Sequence, residues 1–207
     1  ARHHAQGGFE PYERDDGIHP DSMVKPTMAY NEYLKSEGYT EDDNPWHWAA
    51  NSVEKEDGEV RSGFFNDRVD RPARVTDEQS ETPYMTRRAM EFLDEDDGET
   101  PWLLHLSYIK PHGPYVAPAP YHNMYSAEDV VPAVRADSEL DDPNPLAKLF
   151  MDRVAGETFS REEARETVIP VYMGLITQID DQLGVLFKFM EERGLMDDTM
   201  IVFTSDH

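Results

Sequence analysis

The chain places a carboxylate and an imidazole side by side directly after an apolar run. Asp206 and His207 follow the apolar residues 200–203 and the pair Thr204-Ser205. The run predicts a buried strand, and open α/β sheets bind their ligands beyond the carboxyl ends of their strands. Aspartate offers a hard oxygen and neutral histidine a borderline nitrogen, which together suit a divalent metal. Two ligands do not complete a metal site, so a solvated turn is the alternative for the pair alone.

A second group of reactive side chains follows another apolar run. Residues 102–108 predict a strand, and Lys110 and His112 come directly after it. Pro111 and Pro114 restrict the backbone that presents them, because each proline fixes its own φ and limits the preceding residue. The strand end with Lys110 and His112 is cationic, and the strand end with Asp206 and His207 could bind a metal. Both are expected to belong to a single pocket.

Several neighbouring residues are less specific. His105 lies in the middle of the predicted strand, so packing is favoured over catalysis. Tyr115 either shapes the pocket or packs against the core. Residues 39–80 are acidic and irregular, without clear elements, and for Trp46 and Trp48 in this stretch packing is favoured over lining a substrate pocket.

A long amphipathic helix leads into the strand at residues 200–203. Its apolar side chains are spaced by three and four positions, namely Tyr172, Leu175, Ile176, Ile179, Leu183, Leu186, Phe187 and Met190. Gly194 follows where a helix end favours a left-handed residue. Pro170 predicts a break or kink before this stretch.

Shorter helices are predicted from local signals. One spans residues 26–38, and another begins at Thr82 with Pro83 at its first position. A third runs from Asn144-Pro145 to about residue 156. Ser160 and Glu163 form a capping-box pattern for the helix that follows.

Helices and strands alternate from residue 82 to residue 207, which predicts an α/β fold with a mostly parallel sheet covered by helices on both faces. Residues 1–81 are interpreted as an irregular, loop-rich insert, and residues 82–207 as the central helix-strand part. The sheet is expected to be incomplete in this chain. Exposed sheet edges favour pairing with another chain, so a homo-oligomer is an expectation.

Composition narrows the function classes. The net charge is -24 in 207 residues, with only 38% hydrophobic residues and no cysteine. Nucleic acid and anionic membranes are unfavourable partners, because both require clustered Lys and Arg. Acidic, lysine-poor surfaces are tolerated where salt screens self-repulsion, which indicates a halophilic or marine source. No run of about twenty apolar residues predicts a spanning helix, so a soluble protein is expected, with a cytoplasmic location slightly favoured over export.

Two blocks of sequence resemble the sulfatase group of the alkaline phosphatase superfamily. One is Tyr-Met-Gly-Leu-Ile-Thr-Gln-Ile-Asp-Asp-Gln-Leu-Gly at residues 172–184, followed by Phe-Thr-Ser-Asp-His at 203–207. The other is Leu-Leu-His-Leu-Ser-Tyr-Ile-Lys-Pro-His-Gly-Pro-Tyr at 103–115. Ala-Pro-Tyr-His at 119–122 is most similar to phosphonate monoester hydrolases and their arylsulfatase relatives. The likeness is strong from about residue 82 onwards.

The resemblance implies a three-layer, alkaline-phosphatase-like fold that hydrolyses a small anionic ester. Asp206 and His207 would bind one divalent ion, Ca or Mn, with Zn and Mg as alternatives, and His207 would also face the nucleophile. Lys110 would contact the non-bridging oxygens of the ester. His112 would hydrogen-bond the ester oxygen and protonate the leaving group, and Tyr115 is the further substrate-side candidate.

The resemblance also implies parts that this sequence does not contain. The family's nucleophile is a formylglycine derived from Cys or Ser in a motif with a nearby proline and arginine, and neither that motif nor a cysteine is present. The chain is therefore expected to be an internal segment of a larger enzyme and inactive by itself. Lys110 stands where the related enzymes usually show arginine, which leaves sulfate and phosphonate or phosphate esters both open.

Two other classes of function remain open. The chain could belong to a non-catalytic relative that keeps the fold as a binding module. An acidic, calcium-binding structural domain is less favoured, because the Asp-x-Asp-x-Asp-Gly loop of such modules is missing.

Overall fold

The computed structural model describes residues 28–39, 49–63, 71–95 and 98–205. Several residues singled out in the sequence lie outside this part of the chain, namely Trp46, Trp48, Asp206 and His207.

The first helix, α1, spans Ala29–Ser36 and buries Tyr30 and Leu34. Gly38 lies just beyond the C-terminal end of this helix and has a φ of 91°. The Gly38 amide donates to the Lys35 carbonyl and the Tyr39 amide to the Leu34 carbonyl. This is a Schellman motif, which requires a left-handed residue and therefore favours glycine. The predicted helix is confirmed for its described residues.

A β-hairpin lies within the stretch predicted to be irregular. Strand β1 spans Ser52–Glu54 and pairs antiparallel with β2, Val60–Ser62, so that Val53 lies opposite Arg61. The sequence prediction was wrong here because each strand has only three residues, which is too short to show an alternating pattern. Val53 is fully buried and anchors the hairpin to the core.

Two helices, α2 and α5, form the largest packed unit. Helix α2 spans Glu81–Asp94, so that Pro83 is the third and not the first helical residue, and the helix begins two residues before the predicted first helical position. Helix α5 spans Glu162–Glu192 and continues through Pro170, where a break or kink was predicted, so there is no break. Pro170 is buried, so packing of the surrounding turns offsets the hydrogen bond that proline removes. Gly194, with a φ of 68°, ends α5 as predicted.

Two short helices precede α5. Helix α3 spans Pro145–Met151 and is capped by Asn144, whose side chain accepts a hydrogen bond from the Leu146 amide. Helix α4 spans Val154–Ser160. The predicted capping box is wrong, because Ser160 is the last residue of α4 and its hydroxyl donates to the Glu157 carbonyl. The Ser-x-x-Glu pattern does not distinguish the end of one helix from the start of the next.

The two predicted strands belong to no sheet in the described residues. In residues 102–108 half-buried and exposed side chains alternate: Trp102 packs on the core, whereas Leu103 is 74% exposed. His105 is also exposed, not packed as predicted. Residues 200–203 were predicted to be buried, yet Phe203 is 77% exposed. Within the described ranges the only sheet is the two-stranded hairpin, so the parallel central sheet remains a prediction.

The buried side chains form three clusters. The first joins α1, the hairpin and α2 with Val116, and therefore includes residues from both sides of the predicted boundary at residue 82. The second joins Ala117 and Tyr121 with α5. The third lies between the C-terminal halves of α2 and α5. Val116 and Ala117 thus fix the end of the loop that carries the predicted site. No helix in the described ranges is long and apolar enough to cross a membrane.

Candidate functional site

The candidate site is the loop that begins at Lys110. Lys110 is only 8% exposed, and its Nζ donates to the carbonyl of Pro114 over 3.0 Å. Pro114, Val116 and Ala117 are buried. Both ends of the loop are therefore anchored in the interior, and the residues between them form its tip.

His112 lies at this tip and is exposed. Its Nδ1 is 2.7 Å from the carbonyl oxygen of Gly113. A carbonyl can only accept, so Nδ1 is the donor, and Nε2 is the nitrogen left for a ligand. The neutral ring then offers a lone pair at Nε2, and the imidazolium offers a proton there. His112 therefore lies exposed on an anchored loop, with one ring nitrogen hydrogen-bonded to Gly113 and the other accessible; its role in the site stays a prediction.

Tyr115 is half-buried beside the loop and packs against aromatic rings. Its ring meets Phe159 edge-on at 6.0 Å between centroids and lies 6.2 Å from the ring of Tyr172. The described contacts of Tyr115 are packing contacts, and packing is one of the two roles considered for it. A substrate-side role for Tyr115 stays a prediction.

A close backbone approach fixes the chain beyond the loop. The short 3-10 turn Tyr121–Asn123 lies against α5 at Gly174. A Cβ added at Gly174 would lie 2.1 Å from the carbonyl oxygen of Tyr121. The Tyr121 hydroxyl donates to Asp181 Oδ2 over 2.7 Å. Gly174 and Asp181 thus hold this turn on two successive parts of one helix face.

The environment of Tyr121 stabilises its protonated form. Burial is the first cause, and the hydrogen bond to Asp181 and the charge of Asp77 act in the same direction, so the pKa of Tyr121 is raised above its ordinary value. As pH rises, the unfolded chain loses this proton first. The stability that Tyr121 contributes is therefore complete below about pH 10, its unfolded pKa, and is lost as pH rises above it.

Tyr121→Phe is expected to weaken this pH dependence. Between about pH 8 and pH 11 the wild-type midpoint of urea unfolding should fall more steeply than that of the variant, because the phenol that titrates is gone. Tyr125→Phe is the matched control, since the Tyr125 hydroxyl meets the neutral Thr177 hydroxyl at 2.8 Å. Equal slopes for the wild type and Y121F would contradict the expectation.

A buried polar network lies behind the loop. Gln178 is 1% exposed, and its Nε2 donates to Asp77 Oδ1 and to Ser80 Oγ, each over 2.7 Å. Together with Lys110 and Glu81 it lines a cavity of about 10 Å³, at the lower limit of the space that one water needs. Sequence reasoning missed this network. The signal was a glutamine on the core-facing side of an amphipathic helix, beside Leu175.

The structure brings together only part of the predicted site. Lys110, His112 and Tyr115 share one loop, whereas Asp206 and His207 lie outside the described residues. Within the described ranges no three His, Asp or Glu side chains cluster in a way that could hold a metal ion. An adjacent Asp and His are suitable donors for a divalent ion, but they supply only part of a coordination sphere.

Comparison with known proteins identifies the family. The sequence model of the sulfatase family matches residues 10–207. The chain belongs to the sulfatase family. The resemblance inferred from residues 103–115 and 172–184 is thereby confirmed.

Relatives of this sulfatase chain include sulfatases of several kinds. A multifunctional alkaline phosphatase superfamily protein, PehA, of Trinickia caryophylli is 41% identical over 152 residues, which is 67% of this chain and 29% of that protein. An arylsulfatase of Clostridium perfringens is 28% identical over 142 residues, 69% of this chain and 29% of that protein. The sulfatase chain thus spans less than a third of the length of these relatives.

Two solved structures similar to this chain are phosphonate monoester hydrolases. The enzyme from Silicibacter pomeroyi has a TM-score of 0.64 and 27% identity, and the match covers 84% of this chain and 35% of that one. The enzyme from Agrobacterium radiobacter has a TM-score of 0.70, with 89% and 36% covered, and at 23% identity it bears on the fold alone. These neighbours are consistent with the predicted α/β class, and the family is one of hydrolases.

Proposed function

We propose that this chain is part of a metal-dependent hydrolase of sulfate esters. The observation that carries the proposal is the exposed imidazole of His112 on a loop with two buried ends, in a member of the sulfatase family. Relatives named arylsulfatase and choline-sulfatase support a sulfate ester as the substrate.

The chemistry of ester cleavage explains why an imidazole is useful here. Hydrolysis breaks the bond between sulfur and the bridging oxygen, and the bonding electrons leave with that oxygen. A proton delivered to this oxygen as the bond breaks lowers the barrier. The His112 imidazolium can deliver it from Nε2, because Nδ1 donates to Gly113. His112 is accordingly proposed as the acid that protonates the leaving group.

The metal and the nucleophile are proposed for parts of the protein beyond the described residues. Asp206 and His207 would supply two ligands to a divalent ion, most simply Ca or Mn, and His207 would also face the nucleophile. The ion, when bound, supplies positive charge at the ester oxygens. Since the chain contains no cysteine and no serine in the family's motif, a formylglycine nucleophile would lie elsewhere in the protein.

The extended segments are proposed as strands of the three-layer fold. Residues 102–108 and 200–203 would be strands of a mostly parallel central sheet, which would cover the apolar side chains now exposed, such as Leu103 and Phe203. Their carboxyl ends would bring His112 and Asp206 to one edge of the sheet. We also propose the division at residue 82 into a loop-rich insert and a central helix-strand part, because the predicted alternation of helices and strands begins at that residue.

A phosphonate monoester is the second candidate substrate. The solved structure at 27% identity is a phosphonate monoester hydrolase, and the 41% identical relative is described as multifunctional. Sulfate and phosphonate monoesters each carry a single negative charge and a tetrahedral centre. The same loop and the same proton donor would therefore serve either ester.

A set of three nitrophenyl esters tests this choice in the complete protein that carries the chain. The sulfate, the phenylphosphonate and the phosphate share one leaving group, so differences in kcat/KM report the transferred group and not the proton donor. The proposal expects the sulfate to be preferred. Preference for the phosphonate would favour the second candidate. If the folded, metal-loaded protein cleaves none of the three, a non-catalytic binding role replaces both.

A further inference from the structure

Lys110 occupies a position that differs from its predicted role. A side chain that contacts the substrate must reach the open surface of the site. Lys110 is instead buried, its Nζ donates to the Pro114 carbonyl, and it lines the internal cavity together with Glu81. Glu81 is itself buried at the start of α2.

Burial of an ammonium group requires acceptors in place of water. The Pro114 carbonyl is one such acceptor, at 3.0 Å. Glu81 brings a carboxylate to the same cavity. The chain has thus placed a positive charge behind the loop, where its partners are the protein's own atoms.

The hydrogen bond from Lys110 spans the residue predicted to do chemistry. Lys110 and Pro114 are four positions apart, and His112 lies midway between them. A bond across the base of so short a turn restricts the backbone angles of every residue inside it. Proton donation requires a heavy-atom distance of about 2.6–3.2 Å, so the orientation of this turn decides whether Nε2 reaches the ester.

We propose that Lys110 is a positioning residue that acts through His112 and does not touch the ester. The inference rests on the proposed function, because it assigns a role within the same site. It replaces the predicted contact between Lys110 and the non-bridging oxygens with a contact to Pro114. The ammonium closes the base of the turn, and His112 gains a fixed place at its tip.

The test uses Lys110→Met in the complete protein with a series of aryl sulfates whose phenols differ in pKa. A misplaced proton donor slows the cleavage of esters with poor leaving groups most. The loss in kcat/KM should therefore rise from severalfold for the most acidic phenol to about 10²-fold for the least acidic. Inhibition by inorganic sulfate, which presents the same non-bridging oxygens, should stay within about twofold. Lys148→Met, an exposed lysine on α3, is the control and should change neither quantity.

Two further variants make the test decisive. K110M combined with His112→Ala should be no slower than H112A alone, because the lysine acts only through the imidazole. Lys110→Arg keeps a cation that can donate to Pro114 and should recover part of the activity that K110M loses with the least acidic phenols.

Three outcomes would overturn the inference. A loss that is equal for all leaving groups and accompanied by weaker sulfate inhibition would mean that Lys110 touches the ester. Additive losses in the double variant would mean that lysine and histidine act separately. Failure of both K110M and K110R to fold would make Lys110 a core residue without a specific role at His112. A wild-type protein that cleaves no ester is a different result, which rejects the proposed function itself.

Discussion

His112→Ala is expected to lower kcat/KM of the complete protein for an aryl sulfate by about 10²–10⁴-fold, the usual contribution of a positioned proton donor. Alanine removes the only imidazole on the loop between Lys110 and Pro114. The loss should be greatest for the least acidic phenol, whose oxygen needs the proton most. The measurement is the slope of log kcat/KM against the pKa of the leaving phenol, which should become steeper in the variant.

His105→Ala is the matched control for this prediction. His105 is also exposed and lies in the extended segment that leads into the loop, but it is not part of the proposed site. Its replacement should leave kcat/KM within about twofold. His112→Gln separates hydrogen bonding from proton transfer, because glutamine donates a hydrogen bond without giving up a proton. Activity close to that of the wild type in H112Q would argue against His112 as the acid.

Gly174→Ala is expected to destabilise the fold by roughly 2–3 kcal/mol, the upper part of the range for overpacking in an interior. The added Cβ would lie 2.1 Å from the Tyr121 carbonyl oxygen and 3.0 Å from its carbon. These are backbone atoms, so no flexible side chain can give way. The turn Tyr121–Asn123 and α5 must separate, and the hydrogen bond between Tyr121 and Asp181 should weaken with them.

Gly184→Ala is the control for Gly174, in the same helix. Nothing lies within 4 Å of a Cβ added at Gly184. Alanine there should stabilise the helix by about 0.5–1 kcal/mol, since glycine has the greater backbone entropy to lose. The free energy of unfolding in urea measures both variants. Equal effects of the two substitutions would show that helix propensity, and not the contact with Tyr121, determines the role of Gly174.

Local patterns in the sequence predicted the helices well and the strands less well. The three- and four-residue spacing between Leu175 and Met190 and the glycine at position 194 identified α5 and its end, because helical hydrogen bonds join near neighbours along the chain. Pro170 does not break α5, because packing of the surrounding turns outweighs a local rule. The hairpin was missed because each of its three-residue strands is defined by pairing with the other strand and not by its own composition.

The candidate site was likewise only partly predictable from the sequence. The sequence alone indicated the family, and it placed Lys110 and His112 in one short, proline-stiffened loop, because two residues only two positions apart cannot separate. Only the tertiary structure decided that Lys110 is buried beneath that loop, that Gly174 lies against Tyr121, and that Gln178 reaches Asp77 and Ser80. Those contacts join residues far apart in sequence, and their geometry depends on how whole helices pack, which no local pattern of residues specifies.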